Sequence, residues 1–246
     1  MNKNKAKNNS NGNASILPSI VLCLAIITAI VTVVFLLIVF MYMNDLTASR
    51  RQHSSLLAIQ ETQDETQSNP AFLHAFDRQM LEINADFIAW IKIDGTAIDY
   101  PVVRGIDNEM YLNLSFHGEE NTFGTPFMDY RNYGDFVPHI IIYGHNTRHG
   151  DNFTDLHRFL DNQFLADNNI ITLTVNGRVV EYEIFSARLT DIHDYAYFLD
   201  FSYTGAFEAF LERNNAPQGT TQIITLSTCV SRGNDDERVI VQGALR

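Results

Sequence analysis

The chain has 246 residues, of which 46% are apolar, 11% aromatic and 19% charged, a composition typical of a globular domain with one additional hydrophobic element. Three of its 17 basic residues lie at positions 3, 5 and 7 and no acidic residue precedes Asp45, so the portion beyond residue 44 has 14 basic against 29 acidic residues and a net charge of about −15. This acidic balance argues against nucleic acid or anionic lipid as a partner of that portion, favours solubility, and suits a cationic amine substrate.

An apolar segment near the N-terminus separates a short tail from the rest of the chain. Residues 20–43 are almost all Val, Ile, Leu, Ala, Phe and Met, and about 20 apolar residues span a bilayer as a helix. A cleaved signal peptide has a shorter apolar core of about 7 to 15 residues and a small-residue cleavage site. Only a weak match to such a site follows, at residues 47–49, so a retained membrane anchor is favoured over a cleaved signal. We predict a tail at residues 1–15, a transmembrane helix at 16–43, a polar and partly helical stalk at 44–69, and an outer domain at 70–246.

The lysines of the tail set the predicted orientation. Lys3, Lys5 and Lys7 precede the span, and basic residues next to a span stay on the cytoplasmic side. Arg50 and Arg51 follow the span and oppose this orientation without reversing it, because the first flank usually dominates. The sequence therefore predicts a single-pass protein of the cell membrane, with the N-terminus in the cytoplasm and the outer domain outside the cell.

Beyond the stalk, one helical pattern gives way to strands. Ser68 and Asn69 form a helix start signal for a helix predicted at 70–84. Asp94–Gly95 and Asn176–Gly177 predict two hairpin turns. The predicted strands are 87–93, 97–103, 125–129, 139–143, 170–175, 178–187, 222–228 and 238–244, and further helices are predicted at 107–112, 152–160 and 202–213. About eight short strands with few helices predict one mainly β, barrel-like domain with peripheral helices.

A single cysteine, Cys229, lies in the portion beyond the apolar segment, directly after the predicted strand 222–228. Cys23 lies inside the apolar segment, so the outer domain can hold no internal disulfide. An unpaired thiol in an oxidising compartment usually has a reactive use, but free cysteine is also a common small core residue, and the count alone leaves both interpretations open. A thiol at a strand end can meet a substrate, so Cys229 is the first candidate nucleophile. The sequence has no C-x-x-C pair, which disfavours a thiol-disulfide oxidoreductase.

A cysteine nucleophile commonly depends on a neighbouring imidazole. Among the eight histidines, His145 follows an apolar strand and Gly144, which places its ring at a rim as the strand end does for Cys229. The others lie in the stalk, in helices, in loops or at a strand start. His145 and His149 have the spacing of a metal pair on a helix, but glycines bracket them and no third ligand is evident, so a metal site is disfavoured.

Acyl transfer also requires a group that stabilises the oxyanion of the tetrahedral intermediate. Arg238 begins the last predicted strand, and the short loop at 231–236 makes that strand an antiparallel neighbour of the strand that carries Cys229. This connection brings both residues to one rim. Arg232 is the alternative, but it lies in the loop, and a strand holds a guanidinium in place better than a loop does.

Together these residues resemble the sortase family. Thr225–Cys229 reads TLSTC, Tyr143–Asn146 reads YGHN, and Arg238 lies nine residues after the cysteine. The resemblance covers the predicted outer domain and the N-terminal anchor. Ser227 within TLSTC and the long helix-bearing insertion at 190–219 are most similar to class B of the family.

The resemblance implies an eight-stranded sortase-type β-barrel and a cysteine transpeptidase. In such enzymes the thiolate attacks the peptide bond after Thr in a sorting-signal peptide. An amine of peptidoglycan or a pilin lysine then resolves the thioester, which anchors a surface protein to the cell wall. The resemblance gives Cys229 the role of nucleophile, His145 that of general acid or base, and Arg238 that of holding the substrate and steadying the oxyanion. Through shorter matches it also implies three substrate-contacting residues: Asn113, Ser227 and Thr228.

Two other functions stay open on the sequence alone. One is a cysteine peptidase on the same scaffold, with water as the acceptor, and the other is a non-enzymatic surface module in which Cys229 is inert. We expect neither a cofactor nor a metal, because no carboxylate cluster has the ligand spacing of a calcium site.

Overall fold

Eight strands close into a barrel in the computed structural model, which describes residues 16–64, 70–133, 137–147, 149–231 and 234–246. The predictions made for residues 1–15, for the start signal at Ser68 and Asn69 and for Arg232 lie outside the described residues. In chain order the strands are β1 (Phe87–Lys92), β2 (Asp99–Val103), β3 (Phe127–Met128), β4 (His139–Tyr143), β5 (Ile170–Val175), β6 (Arg178–Asp191), β7 (Ile223–Ser231) and β8 (Asn234–Leu245). Around the barrel their order is β1-β2-β3-β4-β7-β8-β6-β5.

The predicted mainly β, barrel-like domain is confirmed, with corrections to the strand ends. β3 has only two residues, and β6 runs four residues further than predicted, to Asp191. The extension of β6 pairs with β8 up to Asp191 opposite Glu237, so pairing with a neighbour holds a segment whose sequence lacks clear alternation. β7 and β8 also extend into the predicted loop at 231–236. Cys229 therefore lies inside β7, two residues before its end.

The described residues also form four α-helices. They are α1 (Ile16–Asp64), α2 (Pro70–Ile83), α3 (Asn162–Asp167) and α4 (Ala206–Arg213), and short 3-10 helices lie at Met110–Leu112, Thr154–Leu160 and Tyr195–Tyr197. The helices predicted at 107–112 and 152–160 are thus 3-10 helices. α3 was not predicted; Asp161 caps it by accepting hydrogen bonds from the backbone N–H groups of Gln163 and Phe164.

α1 continues without a break from the predicted span through the first part of the predicted stalk. Among the described residues, one helix is long and apolar enough to cross a membrane by length and composition, over Ile20–Gln60. The chain divides into two units, one up to Thr47 and one from Ala48 to Arg246.

The turn between β5 and β6 has the geometry that its sequence predicts. Asn176 and Gly177 both have positive φ, 50° and 69°, as a two-residue type I′ turn requires. The Asp77 carboxylate on α2 accepts a hydrogen bond from the Gly177 N–H at 2.6 Å, which fastens α2 to this turn. The connection at Asp94–Gly95 is longer than a two-residue hairpin, since β1 ends at Lys92 and β2 begins at Asp99.

Two strand pairings decide which residues meet at the rim of the barrel. β4 and β7 are parallel, with Tyr143 opposite Ser227. Since parallel strands advance together, the residues two positions further on, His145 and Cys229, reach the same rim. β7 and β8 are antiparallel, with Cys229 opposite Arg238.

Candidate active site

A groove with a volume of about 730 Å³ opens at this rim. Five of the six site residues predicted from the sequence line it: Cys229, His145, Arg238, Ser227 and Thr228. They come from the two adjacent strands β7 and β8 and from the loop after β4, so the barrel topology unites residues that are up to 93 positions apart.

Cys229 supplies the thiol of the groove. Its side chain is half-buried, and Cys229 forms no disulfide. The antiparallel neighbour β8 holds its main chain on one side, at the pair with Arg238. On the other side, just beyond the end of β4, the Cys229 carbonyl oxygen lies 3.1 Å from Asn146 Nδ2 and 3.1 Å from His157 Nε2. The thiol is thus presented from a strand that is fixed on both edges.

His145 is half-buried, and its Nε2–H donates a hydrogen bond to the Leu112 carbonyl oxygen at 2.8 Å. A carbonyl can only accept, so in the neutral ring the proton sits on Nε2 and the lone pair on Nδ1. Gly124 packs against this contact: a Cβ built there would lie 2.7 Å from the Leu112 oxygen and 3.1 Å from His145 Cδ2. The ring orientation is therefore fixed, and Nδ1 is the nitrogen that can take up a proton.

Arg238 brings a guanidinium to the groove, half-buried and with Nη1 donating to the Glu237 carbonyl oxygen at 3.0 Å. Its charge acts on Tyr197, a groove residue that the sequence did not reveal. Burial raises the pKa of Tyr197 to about 12, and the Arg238 charge opposes that rise while a thiolate at Cys229 would add to it. Arg238 and Cys229 therefore both lie within electrostatic reach of the Tyr197 hydroxyl.

Ser227 and Thr228 are buried, with 1% and 2% of their surface exposed. The Thr228 hydroxyl donates to the Gly144 carbonyl oxygen at 2.7 Å, which ties β7 to the loop that carries His145. Ser227 Oγ lies 2.9 Å from the Tyr197 hydroxyl. Both hydroxyls thus organise the wall of the groove, which the two residues line.

Asn113 is not among the described residues that line the groove. It is exposed and follows the 3-10 helix Met110–Leu112, and its carbonyl oxygen accepts a hydrogen bond from the Asn121 N–H at 2.8 Å. Its neighbour Leu112 does line the groove. A substrate contact by Asn113 stays a prediction.

A buried carboxylate, which the sequence analysis missed, supports the groove wall. Asp129 is fully buried and accepts hydrogen bonds from Arg131, the Tyr143 hydroxyl and Asn108. Burial alone would raise the pKa of Asp129, but hydrogen bonds from Arg131, Tyr143 and Asn108 outweigh burial and hold that pKa below its usual value. Its three partners all line the groove. The sequence run Asp129, Tyr130, Arg131 gave no indication that Asp129 would accept a hydrogen bond from the Tyr143 hydroxyl.

In the described part of the chain, no three His, Cys, Asp or Glu side chains come together as a ligand set. The groove chemistry consists of a thiol, an imidazole and a guanidinium among phenols and hydroxyls.

Comparisons with known proteins agree with this arrangement. Residues 91–246 match the family model of the sortase domain. Sortase B of Listeria monocytogenes is 34% identical over 179 residues, which cover 68% of this chain and 73% of the relative. Sortase B of Staphylococcus aureus is 32% identical over 170 residues, covering 65% of this chain and 70% of the relative. A solved Staphylococcus aureus sortase B-substrate complex superposes with a TM-score of 0.72 at 27% identity, covering 80% of this chain and 95% of that one. The eight-stranded barrel is thus a sortase barrel, and the chain belongs to the sortase family as a class B cysteine transpeptidase.

Proposed function

We propose that this transpeptidase cleaves a sorting-signal peptide after Thr and passes the acyl group to an amine of peptidoglycan or to a pilin lysine, which anchors surface proteins to the cell wall. The observation that carries the proposal is the groove in which Cys229, His145 and Arg238 meet. A thiol, a proton carrier and a fixed cation are the three parts that acyl transfer through a thioester requires.

In the first half-reaction, the Cys229 thiolate attacks the carbonyl carbon of the peptide bond after Thr. The Arg238 guanidinium holds the substrate and stabilises the negative oxygen of the tetrahedral intermediate. The C–N bond breaks as protonated His145 gives its Nδ1 proton to the leaving nitrogen. The products are a thioester on Cys229, a free amine and a neutral imidazole.

In the second half-reaction, the acceptor amine attacks the thioester carbon and His145 Nδ1 takes one of its protons. The C–S bond breaks, a new amide forms, and the Cys229 thiolate and protonated His145 are restored. The acidic surface of the outer domain supports a cationic acceptor, since it raises the local concentration of amines.

The proposal includes substrate contacts and a membrane location. Ser227 and Thr228 contact the peptide at the groove, and Asn113 does so outside it. α1 crosses the membrane once, with the N-terminus in the cytoplasm and the barrel outside the cell, which the length and apolar composition of α1 and the three tail lysines support.

The test uses the full chain in detergent micelles and a small library of candidate signal peptides. We expect cleavage after Thr, with an additional amide product when an amine is added, and loss of both in Cys229→Ala, His145→Ala and Arg238→Ala. Product masses measured with and without the amine distinguish transfer from hydrolysis. If Cys229→Ala cleaves like the parent chain, the proposed centre is wrong; if only hydrolysis occurs with every amine, the chain acts as a peptidase.

A further inference from the structure

The main chain at Cys229 lies where β7 loses its neighbour. β4 ends at Tyr143, and the last backbone hydrogen bond between the two strands runs from the Gly144 N–H to the Ser227 carbonyl oxygen at 3.1 Å. Carbonyls two residues apart in a strand point to the same side. The Cys229 carbonyl therefore points into the space that a longer β4 would fill.

Two side chains occupy this space and replace the missing strand. Asn146 Nδ2 lies 3.1 Å from the Cys229 carbonyl oxygen and 3.1 Å from that of Val230. His157 Nε2 also lies 3.1 Å from the Cys229 oxygen. Both oxygens can only accept, so the amide nitrogen of Asn146 faces them with its two hydrogens. His157 Nε2 also lies 3.1 Å from Asn146 Nδ2. Since the Cys229 oxygen can only accept, its contact with His157 Nε2 is a hydrogen bond when Nε2 carries the proton.

On its other edge, β7 pairs with β8 up to Cys229 opposite Arg238 and becomes irregular just beyond that pair. The pairing of β7 with β8 shifts register between Cys229 and Ser231, and such irregularities leave residues outside the regular pairing. Val230, between them, receives the second Asn146 hydrogen bond. The two side chains thus hold the edge of β7 that β4 no longer pairs, and Asn146 also holds Val230 at the irregularity.

We infer that Asn146 and His157 are positioning residues, which set the distance between the Cys229 sulfur and the His145 ring; this inference rests on the proposed function. Asn146 directly follows His145 in the chain and bonds directly to the main chain of Cys229. One residue therefore links the base to the nucleophile. Displacement of a reacting group by about 1 Å costs on the order of a hundredfold in rate.

The first test is Asn146→Asp, which keeps the shape of the side chain and replaces the donor with an oxygen that repels both carbonyls. We expect kcat for peptide cleavage to fall about 100-fold with KM changed less than about threefold, because the nucleophile is misplaced while the groove stays intact. Asn168→Asp is the matched control. It removes an amide hydrogen bond of the same kind, from Asn168 Nδ2 to the Phe164 carbonyl oxygen at 2.9 Å after α3, and should leave kcat within about twofold.

The second test separates positioning by His157 from simple packing. Gln places an amide nitrogen near the position of a histidine Nε2, whereas Leu fills the space without a donor. We expect His157→Gln to keep kcat within about threefold and His157→Leu to lower it about tenfold, a split that a packing role would not produce. These variants decide the matter if thermal unfolding shows that Asn146→Asp does not fold.

Folded Asn146→Asp with the kcat of the parent chain, or equal kcat in His157→Gln and His157→Leu, would overturn the inference. If the parent chain itself shows no cleavage that depends on Cys229, the proposed function fails separately. The effect of Asn146 on the position of the Cys229 thiol is then measured as the rate at which a methanethiosulfonate reagent modifies Cys229. A change of at least about fivefold in Asn146→Asp supports the inference, and equal rates contradict it.

Discussion

Two histidines at opposite ends of β4 differ in burial and in hydrogen bonding. His139, the first residue of the strand, is fully buried; its Nδ1–H donates to the Phe198 carbonyl oxygen at 2.9 Å and its Nε2 accepts from the Thr225 hydroxyl at 2.8 Å. His145, two residues past the last, is half-buried at the groove and has Nε2 bonded to a backbone carbonyl. Residue type alone therefore says little: a buried ring with both nitrogens bonded is structural, and a rim ring can exchange a proton.

The buried end also builds the frame that the rim end uses. Burial lowers the pKa of His139 to about 4, so its ring is neutral at physiological pH and can accept from Thr225. Phe198 lines the groove and Thr225 lies four residues before Cys229 on β7. His139 thus fastens one wall of the groove to the strand that carries Cys229.

The largest effect should come from His145→Ala. Loss of a general acid and base lowers rates by about 10²–10⁴-fold, so we expect kcat/KM for peptide cleavage to fall roughly 1000-fold. The thermal unfolding midpoint should move by less than about 2 °C, because the ring is only half-buried. Exposed His117, outside the groove lining, provides the control: His117→Ala should leave the rate unchanged. A large loss of stability in His145→Ala would contradict the contrast between the two rings.

A smaller loss of activity should follow from Gly124→Ala, which acts on His145 through its support. Gly124 has φ +58°, and an added Cβ would lie 2.6 Å from the Tyr111 carbonyl oxygen and 2.7 Å from that of Leu112. We expect kcat to fall about 10- to 100-fold, as the oxygen that orients the ring is pushed aside. Gly118→Ala is matched, since Gly118 has φ +76° with nothing within 4 Å of the added Cβ. Each of the two substitutions costs about 1 kcal/mol of backbone strain. Equal activity in the two variants, measured as initial rates, would refute the role of Gly124.

The smallest effect on activity, and the clearest on stability, should come from His139. The unfolded chain binds a proton near the ordinary histidine pKa of 6.5, whereas the folded protein does so only near 4. The stability that neutral His139 contributes is therefore complete above pH 6.5 and is lost as the pH falls towards 4, by about 3 kcal/mol. In His139→Gln this component of the pH dependence should disappear, while kcat at pH 7 stays within about threefold. Chemical denaturation of both chains at pH 7 and pH 4.5 measures it, and parallel pH profiles would contradict the neutral, buried state.

The strand pattern predicted much of the barrel because single strands and hairpin turns depend on residues that are close together in the sequence. Asn176–Gly177 fixed the hairpin of β5 and β6, as its positive φ angles require. The parallel pairs β2–β3 and β4–β7 were not predicted, because they join strands through long connections that carry no local pattern. The end of β6 was missed since Leu189 is 60% exposed, so the apolar alternation that marks a strand fails there.

Motifs located the chemical groups of the site but not what holds them. The TLSTC and YGHN runs led to Cys229 and His145, whose placement at one rim follows from the register of β4 and β7. Tyr197 and Asp129 were missed because their contacts to Ser227 and Tyr143 join distant parts of the chain. Such contacts follow from tertiary packing, which a single sequence does not display.

The mass of the enzyme during turnover tests whether Cys229 forms the proposed thioester. The full chain is mixed, in the absence of amine, with an intact signal peptide that it cleaves. The reaction is quenched with acid within the first turnover, and the protein is digested to locate any adduct. We expect an acyl group on the proteolytic peptide that contains Cys229. Hydroxylamine should remove it, and addition of an acceptor amine should remove it with appearance of the amide product. An adduct on another residue, or cleavage with no adduct at any quench time, would contradict this expectation.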